Sequence, residues 1–240
     1  MAEDWLMTIW SDDPTDLWHG EARRLRATLN AISACVRSQY GEPLTWRSED
    51  LDADGWRDID RLAAHLEGHQ LRDDVGKVMR GAGANGTVQG YLGDRTQNLT
   101  NMQWGAGGDQ TPFHCTVHFY ARESGRGTRP INEHPADWLV QLLAETAQAT
   151  GSVSLARMQT TRLPRLLRRA RPHAKIGALT LAPAAVDTTA LPPSIAVYPC
   201  PGLPDRVVLV ANLNQVTADP ESVVADLIAA EDAINQGVPG

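Results

Sequence analysis

Strand-like segments in this chain come in runs, with amphipathic helices before and after the runs instead of between every pair of strands. The order reads strand, two helices, several strands, helix, several strands, final helix. Runs of strands favour an α+β layout over alternating βαβ units. The most constraining single segment is Phe113–Tyr120, where Phe113, Cys115, Val117 and Phe119 alternate with His114, Thr116, His118 and Tyr120. That period of two predicts a half-buried strand. Trp18, Ala22, Leu25, Leu29, Ile32 and Val36 recur at steps of four and three, which predicts one face of a helix running to about Gln39. Asp13 can cap this helix, Pro14 suits its first position, and Asp16 complements its dipole.

The same patterning predicts a strand over Trp5–Trp10 and a second helix from Trp56, Ile59, Leu62, Ala63 and Leu66. A third helix is predicted after Pro135, with Trp138, Leu139, Leu142, Leu143 and Thr146 buried. The glycine-rich residues 81–111 read as turns joining short strands near Val88–Leu92 and Leu99–Trp104. Later strands are expected at Ser152–Met158, Ile176–Leu181, Ile195–Tyr198 and Val207–Leu213, and a final helix from Asp219-Pro220, with Gly237 beyond its end. The expected class is α+β, with antiparallel or mixed sheets and flanking helices. It forms a single domain over 1–240 with room for sub-lobes 1–150 and 151–240.

Charge is distributed unevenly. The first 75 residues hold 16 acids and 8 bases, a net of −8, while the whole 240-residue chain carries −7. Residues 42–74 contain ten acids and four arginines, and residues 146–186 contain seven bases and no acid. An acidic face repels nucleic acid and attracts a basic protein surface. No apolar run approaches the ~20 residues of a membrane helix, and the opening MAEDWLMTIW has no basic segment leading into an apolar one. Cys35, Cys115 and Cys200 are odd in number and lie in apolar contexts, so buried free thiols and a cytoplasmic location are expected.

Motifs that would carry chemistry are weak. His65 and His69 are four apart, but a zinc-protease helix needs Glu directly after the first His, where Leu66 stands. Two exposed histidines at a helix end are expected. His114 and His118 lie about 13 Å apart at ~3.3 Å per strand residue, too far to share a metal without a bulge. Gly81-Ala82-Gly83-Ala84-Asn85-Gly86 matches G-x-G-x-x-G but leads into a strand, so a turn is expected and not a nucleotide site. Nucleophile elbow, P-loop and Cys-x-x-Cys pair are all missing. The reading is a non-enzyme with no catalytic residue, no metal and no cofactor. Two rivals stay open. One is a cryptic metal enzyme, for which His114, His118 and His134 would converge. The other is a nucleic-acid-binding or adaptor protein using Arg162–Lys175, where Leu163, Leu166 and Leu167 suggest a short amphipathic helix whose arginine face is solvated or internally paired, with the acidic N-terminal third able to neutralise it.

Trp46 lies in an acid-dense stretch between the first two helices, which fits either an interface anchor or a loop tryptophan folded onto the core. Ile176-Gly177-Ala178-Leu179-Thr180-Leu181 is similar to the "vGWLTYL"-type strand of the immunity protein 52 family of bacterial polymorphic-toxin systems, with Ala178 where a tryptophan is typical. Leu191-Pro192-Pro193, a strand leading through Gly202 to Val207–Val210, and Asp219-Pro220-Glu221 follow in the family's order, and Trp104-Gly105 resembles its turn before the central strand. The resemblance implies an α+β protein that binds and blocks a cognate toxin, often a nuclease, and it carries over no catalytic residue. The expected partner is that toxin domain, with no nucleic acid and no membrane. The expected contacts are Trp46, Glu49, Asp50, Asp52, Asp54, Asp58 and Asp60.

Overall fold

The computed structural model describes residues 4–13, 15, 17–79, 81–93, 98–109, 113–120, 135–200 and 202–236. The sequence expectations on Pro14, Asp16, His134 and Gly237 lie outside these residues. Chain contacts divide the molecule into two compact units. One comprises Thr8–Phe119 with Thr146–Ser154, and the other Met1–Met7, Tyr120–Glu145 and Leu155–Gly240.

In the first unit, strand β1 (Trp5–Ser11) contributes Thr8 onward and helix α1 (Leu17–Tyr40) follows. Ala22, Leu25, Leu29, Ile32 and Val36 are fully buried, as the heptad-like spacing predicts. Strand β2 (Leu44–Arg47) and helix α2 (Ile59–Gly68) come next, and α1 packs against both. The side chain of Asp58 caps α2 by accepting from the amides of Asp60 and Arg61. Strands β3 (Ala84–Leu92), β4 (Asn98–Ala106) and β5 (Phe113–Phe119) complete the order β2-β3-β4-β5, antiparallel throughout. In β5 every second residue is buried, from Phe113 to Phe119, so the alternation in sequence is the alternation in space.

The two strands expected within the glycine-rich stretch are present and run longer than expected. Only part of it is turn: Gly81 and Gly83 adopt φ of 77° and 73° at the entry to β3, a conformation other residues avoid. Gly86, Gly90 and Gly105 lie inside nine-residue strands. A Cβ on Gly86 would sit 2.5 Å from the Trp104 ring, one on Gly90 2.9 Å from the Trp46 ring, and one on Gly105 2.1 Å from the His114 ring. These strand glycines make room for aromatic rings on neighbouring strands.

In the second unit, helix α3 (Ala136–Thr150) contributes its residues to Glu145, and strand β6 (Val153–Thr160) contributes Leu155 onward. Helix α4 (Leu163–Ala170), strands β7 (Leu179–Pro183), β8 (Ala196–Pro199) and β9 (Arg206–Val210), and helices α5 (Leu213–Ala218) and α6 (Val224–Gln236) complete it. The order β6-β7-β9-β8 is again antiparallel. Ile176–Ala178 precede β7 instead of starting it, because the Gly177 amide is taken by the Thr180 hydroxyl. Leu213 opens α5 and does not end a strand, because the Asn212 side chain accepts from the Gln215 amide and caps a helix there. The three cysteines are free and buried, and burial pushes the Cys115 thiol up to about 12. No described helix is long and apolar enough to cross a membrane. The α+β class with antiparallel strands is the one expected from sequence.

Candidate functional site

The acidic run 49–60 folds as a tight loop between β2 and α2 that ends in the first turn of α2. The Ser48 amide donates to the Leu51 carbonyl at 3.2 Å, and the Trp56 indole donates to the same carbonyl at 3.1 Å. The Gly55 amide donates to Asp52 at 2.7 Å, and that bond, with Arg61 at 3.1 Å, holds the Asp52 carboxyl below its usual range. Leu51 and Trp56 are buried beneath the loop. With the apolar side chains turned in, Glu49, Asp50, Asp52, Asp54, Asp58 and Asp60 are all exposed.

Trp46 corrects the anchor reading. It lies on β2, 7 % exposed, and its indole donates to the Leu29 carbonyl of α1 at 3.2 Å. A tryptophan buried with its polar atom satisfied has no face for a partner. An exposed apolar residue stands just past the acidic run 42–74: Val75, 87 % exposed, follows Asp74 in a turn where the Asp73 carboxylate accepts from the Val75 and Lys77 amides.

The two histidines at the end of α2, His65 within it and His69 as its C-cap, are also corrected. Their side chains are not freely exposed: His65 is 6 % and His69 35 % accessible. A four-residue step on a helix stacks them, with ring centroids 4.2 Å apart. Trp56 meets His65 edge-on at 5.4 Å, and Trp104 of β4 lies 6.1 Å and 6.2 Å from the two rings. Trp104 reaches this position over Gly86 of β3. Asp50 closes the cluster. Its Oδ2 is 3.2 Å from His69 Nε2 and 3.6 Å from His65 Nδ1, and the Ser48 hydroxyl lies 3.2 Å from its Oδ1. The second nitrogen of His69, Nδ1, is 2.9 Å from the His65 carbonyl. Burial pushes the His65 imidazole below its usual range, against the opposing pull of Asp50. The cluster borders a groove of about 760 Å³ whose other walls include Arg47, Glu49, Asn85 and Thr87.

Sequence spacing could not reveal this site, because Asp50 comes from a loop fifteen residues before His65 and the rings are turned inward by two tryptophans. Only the i,i+4 step of the histidines was visible. His114 takes no part: it is half-buried over Gly105, and burial alone pushes its imidazole down.

The basic segment forms α4 as its leucines suggest, with Leu163 and Leu167 buried. Part of the segment is internally paired, one of the outcomes expected. Arg171 pairs with Asp232 at 2.7 Å and 2.9 Å and with Glu231 at 3.1 Å, both on α6 near the C-terminus and not in the acidic N-terminal third. The Arg157 guanidinium donates to the carbonyls of Ala174 and Ile176.

No protein-family model matches the chain, and no curated protein matches it. Among solved structures, the chain is similar to the Pseudomonas aeruginosa T6SS protein PA0821, with a TM-score of 0.47 and 13 % identity, covering 99 % of this chain and 73 % of that one. The resemblance to the immunity protein 52 family rests on the residues quoted for it and has no matching family model behind it.

Proposed function

We propose that the chain is an immunity protein, a stoichiometric inhibitor that neutralises a cognate bacterial toxin of nuclease type by covering its basic active-site cleft. The observation that carries this reading is the acidic ledge: six carboxylates between positions 49 and 60, all exposed, on a loop pinned by Leu51 and Trp56 and on the first turn of α2 that follows it. A fixed array of one sign costs little ordering entropy on binding and speeds encounter with an oppositely charged cleft. A nuclease presents such a cleft to its substrate. Val75, projecting from the turn after Asp73-Asp74, supplies an apolar contact beside the charge.

Three of the carboxylates have structural work besides: Asp50 faces the histidines, Asp52 ties the loop to Arg61, and Asp58 caps α2. The test therefore uses the other three. Glu49→Lys, Asp54→Lys and Asp60→Lys together should leave the far-ultraviolet spectrum unchanged, abolish protection of cells expressing the toxin encoded by the adjacent gene, and weaken binding at least tenfold. Full protection by this triple variant contradicts the ledge as the contact surface. The nucleic-acid reading draws less support, since Arg171 of the Arg162–Lys175 stretch is already engaged by the carboxylates of α6.

A further inference from the structure

We propose that Asp50, His65 and His69 form a binding site for one divalent transition-metal ion of the zinc class, open on one side to the groove. The inference stands apart from the toxin-binding reading. Three potential ligand atoms, one from each residue, all lie within 4.8 Å of one another. Four ligands placed tetrahedrally at about 2.0–2.1 Å from zinc are about 3.3 Å apart. The separations from Asp50 Oδ2 are 3.2 Å to His69 Nε2 and 3.6 Å to His65 Nδ1.

The surroundings are those of a metal site as well. A ligating histidine usually gives its other ring N–H to a carbonyl or carboxylate, which fixes the tautomer and aims the free lone pair. His69 Nδ1 meets the His65 carbonyl at 2.9 Å, so the lone pair of Nε2 points at Asp50. The Ser48 hydroxyl occupies Asp50 Oδ1 and leaves Oδ2 for the shared centre. With neutral imidazoles, three acceptor atoms converge and a cation is what completes them. Trp56 and Trp104 pack the rings from the sides and hold their orientation. Two imidazoles and one carboxylate suit zinc, cobalt, nickel or ferrous iron, and not magnesium or calcium, which take oxygen ligands. The remaining coordination positions face the groove beside Asn85 and Thr87.

The test is metal uptake by the intact chain alone, so its outcome is independent of any toxin. After chelation and dialysis against Zn²⁺, the wild-type chain should retain one equivalent. Co²⁺ should give the visible bands of a four- or five-coordinate ion. Changes to outer partners of a zinc site cost about 10–100-fold in affinity, so loss of a ligand in Asp50→Asn or His69→Ala should cost more than ~100-fold and remove the cobalt bands. Asp50 is exposed and its amide is isosteric, so Asp50→Asn stays informative even where a histidine variant unfolds. Lowering the pH through the histidine range should release the ion as protons compete for the rings. A folded wild-type chain that retains no Zn²⁺ and gives no cobalt bands, with only a proton bridging His69 and Asp50, overturns the proposal. So does equal retention by Asp50→Asn.

Discussion

Gly86 shows how one residue decides what its neighbours can do. It stands opposite Trp104 in the β3–β4 register, and the indole lies where a Cβ would be. The same indole flanks His65 and His69. Gly86→Ala must therefore push a ring that is 1 % exposed and packed on all sides. Overpacking of this kind costs about 1–3 kcal/mol, and we expect thermal or urea unfolding to show that loss, with the His65 and His69 ring signals shifted in NMR spectra. Unchanged stability would mean that the strands separate more easily than the packing implies. Such roles are hidden in sequence. A glycine in a glycine-rich stretch reads as a turn, and only the strand register shows which ring replaces its side chain. Trp46 is the same lesson reversed: the charge around it in sequence suggested a surface position, but β2 alternates, and position 46 faces α1 together with Leu44.

At the scale of elements, periodicity was legible where elements are long. Strand β5 follows its apolar spacing residue by residue, and helix α1 does so from Ala22 to Val36, with Trp18 half-buried. Helix α5, six residues long, does not cover two full turns and leaves no periodic trace, so Val207–Leu213 read as one strand. Ion pairing between elements was not legible either, since Arg171 finds its carboxylates about sixty positions away on α6. Helix α2 separates structural acids from surface acids. The Asp58 side chain satisfies two amides at the start of the helix, at 2.9 Å and 3.2 Å. Asp60, on the first turn, makes only an exposed contact with His19 at 3.3 Å. Removing a capping side chain costs about 1 kcal/mol, whereas surface substitutions away from such features stay within about 0.5 kcal/mol. Denaturant titration of Asp58→Ala and Asp60→Ala should show that difference. Equal costs would place the cap elsewhere.

For the molecule as a whole, the claim is electrostatic. The negative excess falls in the first 75 residues, with a net of −8, and the fold turns the densest part of it outward on a hydrogen-bonded loop and the start of α2. Composition made the sign of the field visible. It could not tell that Asp50 would turn partly inward to two histidines while Glu49 beside it faces solvent. A field of this kind acts on encounter rate more than on the lifetime of a complex, and salt weakens it, because the screening length falls from about 30 Å at 0.01 M to about 3 Å at 1 M. The most direct measurement is the association rate of the chain with the proposed toxin partner, the product of the adjacent gene, followed by stopped-flow fluorescence across that salt range. The account predicts a one-to-one complex whose association slows at least about tenfold with added salt, with that dependence flattened by the Glu49, Asp54 and Asp60 reversals. An association rate indifferent to salt and to those three charges would contradict it.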